Sequence, residues 1–207
     1  MKINRLGIED AGYPAGLKVN LGNRAPKTVT WSGELGVLES GTLALFCSVK
    51  CPGNLIRQTF DLAHKWRAAG VRVIGGFHSP MERECLRILL QSPHPVIVCP
   101  ARGFPTRVPP EFRKPLDDGR LLLLSMFADT VRRADEQTAQ ERNRYVAALA
   151  EKIFVAYAAL GGKTEAFCRE ILAWKKPLLT LADAANENLL ALGAEPINLN
   201  SLSPECE

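Results

Sequence analysis

Hydrophobic and polar positions along the chain alternate between two periods. Short continuous apolar runs, each four to six residues long, are separated by longer stretches in which apolar residues recur at helical spacing. The runs are Thr42–Cys47 (TLALFC), Val71–Ile74 (VRVI), Pro95–Cys99 (PVIVC), Arg120–Ser125 (RLLLLS), Lys152–Tyr157 (KIFVAY) and Pro177–Leu181 (PLLTL). The helical patterns are Leu55–Ala69, Met81–Leu90, Asp135–Ala150, Gly162–Trp174 and the short Asn186–Leu192. Ser79 stands as N-cap and Pro80 as first helical residue of the second of these. The segment Pro100–Pro115, rich in Pro and Arg, is expected as a loop, and the tail after Pro196 is expected to be loose.

Strands that are apolar throughout are buried on both faces, and strands alternating with helices imply right-handed βαβ crossovers. The expected fold class is therefore α/β, a doubly wound, Rossmann-like, mostly parallel sheet with helices on both faces. The expected organisation is a lead-in segment over residues 1–40, a Rossmann-like domain over 41–196 and a tail over 197–207. In such sheets the ligand lies outside the carboxyl ends of the strands, so the strand-to-helix turns are where function is sought.

The first turn, Cys47 to Asn54, offers Ser48 and Lys50 ahead of a helix N-terminus, where backbone N–H groups favour an anion. The second, Gly75-Gly76-Phe77-His78-Ser79-Pro80, has two glycines that allow close backbone approach, with His78 beside them. The third sets Arg102, Arg107, Arg113 and Lys114 around Phe104, a pattern suited to phosphates with a stacked base. The fourth leads through Arg132 and Arg133 to Arg142-Asn143-Arg144, whose two arginines are too close in sequence to share a helix face. The fifth, Gly161-Gly162-Lys163-Thr164, lacks the upstream glycine of a phosphate-binding P-loop, because position 157 is Tyr157. It still places glycines, a lysine and a threonine at a helix start, which makes a phosphate cradle. A solvated polar turn is the competing explanation for each.

Composition narrows the function classes without choosing one. The formal net charge of +4 permits an anionic ligand, and charge matters to nucleic acid through its clustering. Six cysteines lack zinc-ligand spacing: Cys47 and Cys51 are the one close pair, and the others are expected as small buried thiols. No metal, no cofactor and no catalytic residue is expected. Residues 1–10 are polar and mixed and no apolar run reaches the roughly 20 residues of a membrane span. A reducing, cytoplasmic location without membrane association is the expectation.

Several of these residues together resemble the DNA-processing protein A family (DprA/Smf), within the wider group that includes the lysine-decarboxylase-like LOG proteins. Tyr13-Pro14, Leu17, Ala25-Pro26 and Trp31-Ser32-Gly33 resemble the family's lead-in. Ile74-Gly75-Gly76-Phe77 is similar to its Ser-Gly-rich turn, Arg142-Asn143-Arg144 to its Arg-Asn-Arg element, and Asn188-Leu189-Leu190 with Gly193-Ala194 to its closing segment. Two positions depart: Cys47-Ser48-Val49-Lys50 stands where the family has Gly-Ser-Arg, and His78 to Glu84 replaces a Gly-Ile-Asp-x-x-Ala-His stretch. Within the sequence there is no room for a helical domain ahead of this one or a winged-helix domain after it, so a stand-alone, diverged member is expected.

The resemblance implies a binding protein rather than an enzyme, with single-stranded DNA in a basic pocket, a recombinase as a partner and a homodimer as the assembly. It implies that Ser48, Lys50, Gly76, Arg142, Arg144 and Lys163 line the pocket; Gly75, His78, Arg102, Asn143, Gly161, Gly162 and Thr164 join them as ligand-binding candidates. Two other readings compete. One is a sensor or LOG-like hydrolase of a phosphate-bearing nucleotide derivative, with Glu82, Glu165 and Glu170 as its acids, although the hydrolases' Pro-Gly-Gly-x-Gly-Thr spacing is missing. The other is a structural subunit with a vestigial pocket.

Overall fold

Among the described residues nine strands, numbered in chain order, form one sheet in the order β1-β2-β6-β5-β4-β3-β7-β8-β9. This is a computed structural model, and it describes residues 2–39, 41–105 and 107–197. From β6 through β9 all neighbours are parallel, whereas β1 with β2 and β2 with β6 are antiparallel. The central strands are β3 (Thr42–Phe46), β4 (Arg72–Gly75), β5 (Val96–Val98), β6 (Leu121–Ser125), β7 (Lys152–Val155) and β8 (Leu178–Leu181). These lie within a residue or two of the apolar runs, so the expected α/β, doubly wound fold is the observed one.

Why these runs make strands is visible in where their side chains go. Phe46, Ile153, Val155, Leu122 and Leu124 point to one face, and Leu43, Leu45, Phe154, Leu121 and Leu123 to the other. Each strand thus feeds two cores, which is why apolar residues run through it; Thr180, inside β8, is buried with its hydroxyl donating to Val155 O at 2.8 Å. The first core is closed by α1 (Ala15–Leu21), α5 (Glu136–Leu149) and α6 (Lys163–Ala173), through Leu17, Val146, Ala147, Cys168 and Ile171. The second lies under α2 (Gly53–Ala68) and α3 (Pro80–Leu89), which pack on each other, with Trp66 edge-on to Phe154 at 5.1 Å. Truncating a fully buried residue such as Leu45 to Ala costs about 2–5 kcal/mol.

The helix ends follow from local chemistry. Ser79 and Glu82 form a reciprocal capping box at α3, and Asp135 and Thr138 another at α5. At the far end of α5 the Lys176 ammonium donates to the carbonyls of Ala147, Ala148 and Ala150 at 2.6–2.7 Å, satisfying acceptors that a helix end leaves orphaned.

Three parts of the architecture differ from the sequence-based expectation. The lead-in contributes β1 (Asn4–Gly7), α1 and β2 (Thr28–Ser32) to the same sheet and core. The stretch expected as a loop up to Pro115 includes α4 (Pro110–Asp117), which Pro110 starts at its first turn and whose Phe112 packs on the second core. The short α7 (Glu187–Ala191) is followed by β9 (Glu195–Ile197), an eighth neighbour pairing parallel to β8. The remaining tail, residues 198–207 and Cys206 with them, falls outside the described residues. Among the described residues no helix is long and apolar enough to cross a membrane.

Candidate functional site

The chain leaves β3 toward β4 on one side and reaches β7 on the other, so neighbouring strands β3 and β7 send their carboxyl-end loops apart. That is the topological switch point, where an open parallel sheet has a crevice. Ser48 bridges it. Its Oγ donates to Thr164 Oγ1 at 3.0 Å and accepts from the Ala159 N–H at 3.2 Å, while its own N–H donates to Tyr157 O at 2.9 Å.

The far wall is the start of α6. Gly161 adopts φ +67°, a conformation that favours glycine, and Gly162 is the N-cap without any side-chain cap. A Cβ at Gly162 would sit 2.9 Å from Ala159 O. The first-turn N–H groups and the positive end of the helix dipole therefore face the crevice. Between α5 and α6 lies a cleft of about 210 Å³ lined by Asn143, Arg144, Lys163, Thr164 and Glu170. Four expected site residues from two distant segments thus meet there.

The charges of this cleft are partly matched. Arg144 Nε lies 2.9 Å from both Glu170 carboxylate oxygens, and Arg24 also reaches Glu170 at 3.4 Å. Lys163 contacts Glu136 at 2.5 Å, but both side chains are about two-thirds exposed, so water screens the pair strongly.

Beside it, the turn after β4 is built around two buried charges. Gly75 closes the strand and accepts from the Cys99 N–H at 2.8 Å. Phe77 has φ +48°, strained for an aromatic residue, and its ring is buried in the second core. The turn aims the His78 and Ser79 N–H groups at Glu82 Oε2, both at 2.9 Å, and Glu82 Oε1 accepts from Cys47 N–H at 3.2 Å. A carboxylate of the protein itself thus occupies the anion-binding hollow between the first two turns. The opposing charge is Arg142, 6% exposed, whose Nε donates to Asn143 Oδ1 at 2.8 Å and Nη1 to Cys99 O at 3.3 Å. Burial lowers its pKa, and Glu82 acts against that. Among the described residues no carboxylate lies within 4.0 Å of this guanidinium. Gly76 is glycine because the guanidinium lies where its Cβ would be.

The two arginines of Arg142-Asn143-Arg144 face different ways, as their spacing requires: Arg142 runs inward under Gly76 and Arg144 turns to α6. Lys50, His78 and Arg102 stand exposed at the carboxyl ends of β3, β4 and β5. Phe104, expected to stack on a base, instead packs against the second core. The three acids considered for hydrolysis are engaged. Glu82 is bound as described, and Glu170 holds Arg144. Glu165, 3% exposed, accepts from Asn188 Nδ2 at 2.7 Å and Gly161 N–H at 3.0 Å and pairs with Arg169. The Asn188 amide, then the Gly161 N–H, hold its carboxyl below the ordinary range. Sequence reasoning missed that Glu82 and Glu165 brace the turns. Ser79-x-x-Glu82 and the four-residue reach from Gly161 to Glu165 were the available signals.

A doubly wound α/β protein with an uncapped helix start and basic side chains at its switch point defines the class. The chain belongs to the DNA recombination-mediator protein A family, whose family model matches residues 4–202. Its fold is similar to DNA processing protein A (DprA) of Streptococcus pneumoniae, at TM-score 0.78 and 18% identity, covering 100% of this chain and 75% of that one. It is equally similar to the DNA processing protein A of Helicobacter pylori, described for its single-stranded DNA binding mode, at TM-score 0.78 and 17% identity, covering 97% and 93%. A more distant likeness is the molybdenum cofactor binding protein of Rippkaea orientalis, at TM-score 0.55 and 10% identity, covering 79% and 92%. No curated protein matches the sequence.

Proposed function

We propose that this protein binds single-stranded DNA across the carboxyl ends of its strands, in DNA processing or recombination. The observation that carries the reading is the convergence of Asn143, Arg144, Lys163 and Thr164 on the uncapped start of α6 at the switch point. A phosphate there meets backbone N–H groups, the helix dipole and an ammonium. Ser48 holds the near wall, and exposed Lys50, His78 and Arg102 extend the basic rim along which further phosphates run. Gly75, Gly76 and Arg142 shape the adjoining turn from below, and Gly161 and Gly162 let the far wall approach. Family membership and the single-stranded DNA binding described for the Helicobacter pylori protein support the same ligand.

The cleft's size favours a strand over a free nucleotide. About 210 Å³ receives a phosphate group, whereas pockets that bury a whole small ligand run to about 300–1,000 Å³. Glu82, Glu165 and Glu170, the three acids of the hydrolase reading, are all engaged in structural contacts. A recombinase partner and a homodimer belong to the proposal through the family alone, and a cytoplasmic location fits it.

The test is a fluorescence-anisotropy titration of a labelled single-stranded oligonucleotide at low and moderate salt, with mononucleotides as competitors. Salt-sensitive binding that mononucleotides do not displace is expected. Displacement by a mononucleotide at comparable concentration would overturn the strand reading. Light scattering with and without oligonucleotide reads the assembly.

A further inference from the structure

Most large apolar side chains of this protein are covered by the two cores. Among the described residues four stay more than half exposed: Ile3 at 51%, Val19 at 81%, Val49 at 76% and Leu160 at 83%. Ile3 and Val19 belong to the lead-in, ahead of β1 and on α1. Val49 and Leu160 stand on the two walls of the crevice, in the turns that follow β3 and β7. Their backbones are tied together. Val49 follows Ser48 and Leu160 follows Ala159, and Ser48 Oγ accepts from the Ala159 N–H at 3.2 Å. The Ser48 N–H donates to Tyr157 O at 2.9 Å beside it. The two exposed side chains thus leave the chain next to one hydrogen-bonded pair that spans the crevice.

The turn into α6 fixes where Leu160 stands. Gly161 after it has φ +67°, its N–H donates to Glu165 at 3.0 Å, and the Gly162 N–H donates to Ala159 O at 2.9 Å. A lone apolar residue at the surface is ordinary. Two at the rim of one crevice, with cations beside them, have the make-up of an interaction site. Lys50 follows Val49, Lys163 comes three residues after Leu160, and both lysines are exposed.

The charge of the crevice selects the occupant. Lys50, Lys163 and the first-turn N–H groups of α6 favour an anion, and the two aliphatic side chains favour an apolar face next to it. A nucleic-acid strand with unstacked bases offers a phosphate and a flat base face in every nucleotide. A duplex keeps those faces stacked inside and does not offer them. Phe104, the ring expected to take a base, is packed against the second core. Base faces at the crevice are therefore left to aliphatic side chains.

We infer that Val49 and Leu160 form an aliphatic platform for the unstacked bases of a single strand whose phosphates run along Lys50 and Lys163. The platform rests on the reading of function above and deepens it. An aliphatic side chain makes no hydrogen bond to a base edge, so the platform separates single strand from duplex without reading base sequence. It covers apolar area and releases no counterions, so the affinity it adds does not weaken with salt.

The test compares the full chain with Val49→Ser and Leu160→Ser. Each is titrated by anisotropy with labelled oligothymidylate and with an equally long strand of abasic tetrahydrofuran units, which keeps the phosphates and lacks the bases. Wild type is expected to bind oligothymidylate more tightly than the abasic strand. Each substitution is expected to weaken oligothymidylate binding roughly three- to tenfold, the loss of part of a covered apolar side chain. The slope against salt and the affinity for the abasic strand are expected to stay unchanged. Leu160→Phe is expected to widen the preference for bases, because a ring stacks on them. Urea midpoints of both serine variants are expected to match wild type, since both side chains are exposed. A lowered midpoint would show a packed side chain and overturn the inference. So would unchanged oligothymidylate binding, or an equal loss on both strands, which marks a disturbed phosphate path. Wild type binding the two strands equally overturns the platform alone. Wild type binding neither overturns the functional reading and the platform with it.

Discussion

The guanidinium of Arg142 lies against the Cα of Gly76, so close that a Cβ there would fall 1.1 Å from Nη1. A side chain from α5 thereby fixes the height of the turn after β4, and through His78 and Ser79 the cradle around Glu82. Gly76→Ala must expel Arg142 from its bonds to Asn143 and Cys99 O. The expected cost is about 2–4 kcal/mol, overpacking plus broken hydrogen bonds, read by urea unfolding. In an Arg142→Ala background the same substitution is expected to cost under about 1 kcal/mol, because the clash is gone. Additive costs would show that the two residues do not act as one unit.

Glu82 offers a second probe of the same turn. Its two oxygens accept from three backbone N–H groups on both sides of the β3–β4 boundary. Glu82→Gln keeps the shape but turns an NH₂ group toward at least one N–H donor and removes the negative charge that faces buried Arg142. Hydrogen bonds to a charged group contribute about 1.5–3 kcal/mol each, so a loss of roughly 2–4 kcal/mol is expected. Urea midpoints of wild type and variant, at equal m-value, measure it. A loss below about 0.5 kcal/mol would mean the carboxylate does not hold the turn.

Much of the fold was legible because the central strands are buried on both faces. An apolar run such as Leu121–Leu124 admits few alternatives. What escaped is what lacks that signature. Strand β1 (NRLG) and strand β9 (EPI) are short and polar edge strands, and an edge faces water on one side. Helix α4 contains Pro115 and begins at Pro110, so its sequence reads as loop until one sees Phe112 and Leu116 spaced to reach the second core. In the site, Lys163, Thr164, Asn143 and Arg144 were identified turn by turn, yet their meeting needed the α5–α6 packing. The inward course of Arg142 was legible only as a spacing argument. That Glu82 and Glu165 serve the turns rather than a ligand depended on backbone directions that residue types do not encode.

Lys163 separates binding from stability. Its ammonium pairs with Glu136 at the surface, where such pairs contribute little. Lys163→Ala is expected to shift stability by no more than about 0.5 kcal/mol. If it contacts a DNA phosphate, the variant binds a single-stranded oligonucleotide more weakly at low salt, and the slope of log affinity against log salt falls by about 0.7. Anisotropy titrations over a salt series check both numbers. An unchanged slope would remove Lys163 from the interface, whatever the absolute affinity.

Tyr13 gives the lead-in a titratable signature. Its hydroxyl is buried and donates to Pro26 O at 2.6 Å, tying the start of α1 to the chain ahead of β2. Burial first, and Tyr145 second, push its pKa up to about 12 from the ordinary 10. A folded-state value above the unfolded one means the neutral phenol stabilises the fold. That contribution is complete below pH 10 and is lost as the pH rises from 10 through about 12. Ultraviolet titration of tyrosinate is expected to show a late-ionising component that Tyr13→Phe reduces by one tyrosine, the remainder being Tyr145, which burial also pushes up. The variant is expected to be about 1 kcal/mol less stable at neutral pH, for the lost hydrogen bond, and to lose less stability than wild type between pH 10 and 12. A Tyr13 that ionises near the ordinary value of 10 would mean that the lead-in is not packed on the core in solution, and that β1 and α1 do not hold the sheet's antiparallel edge.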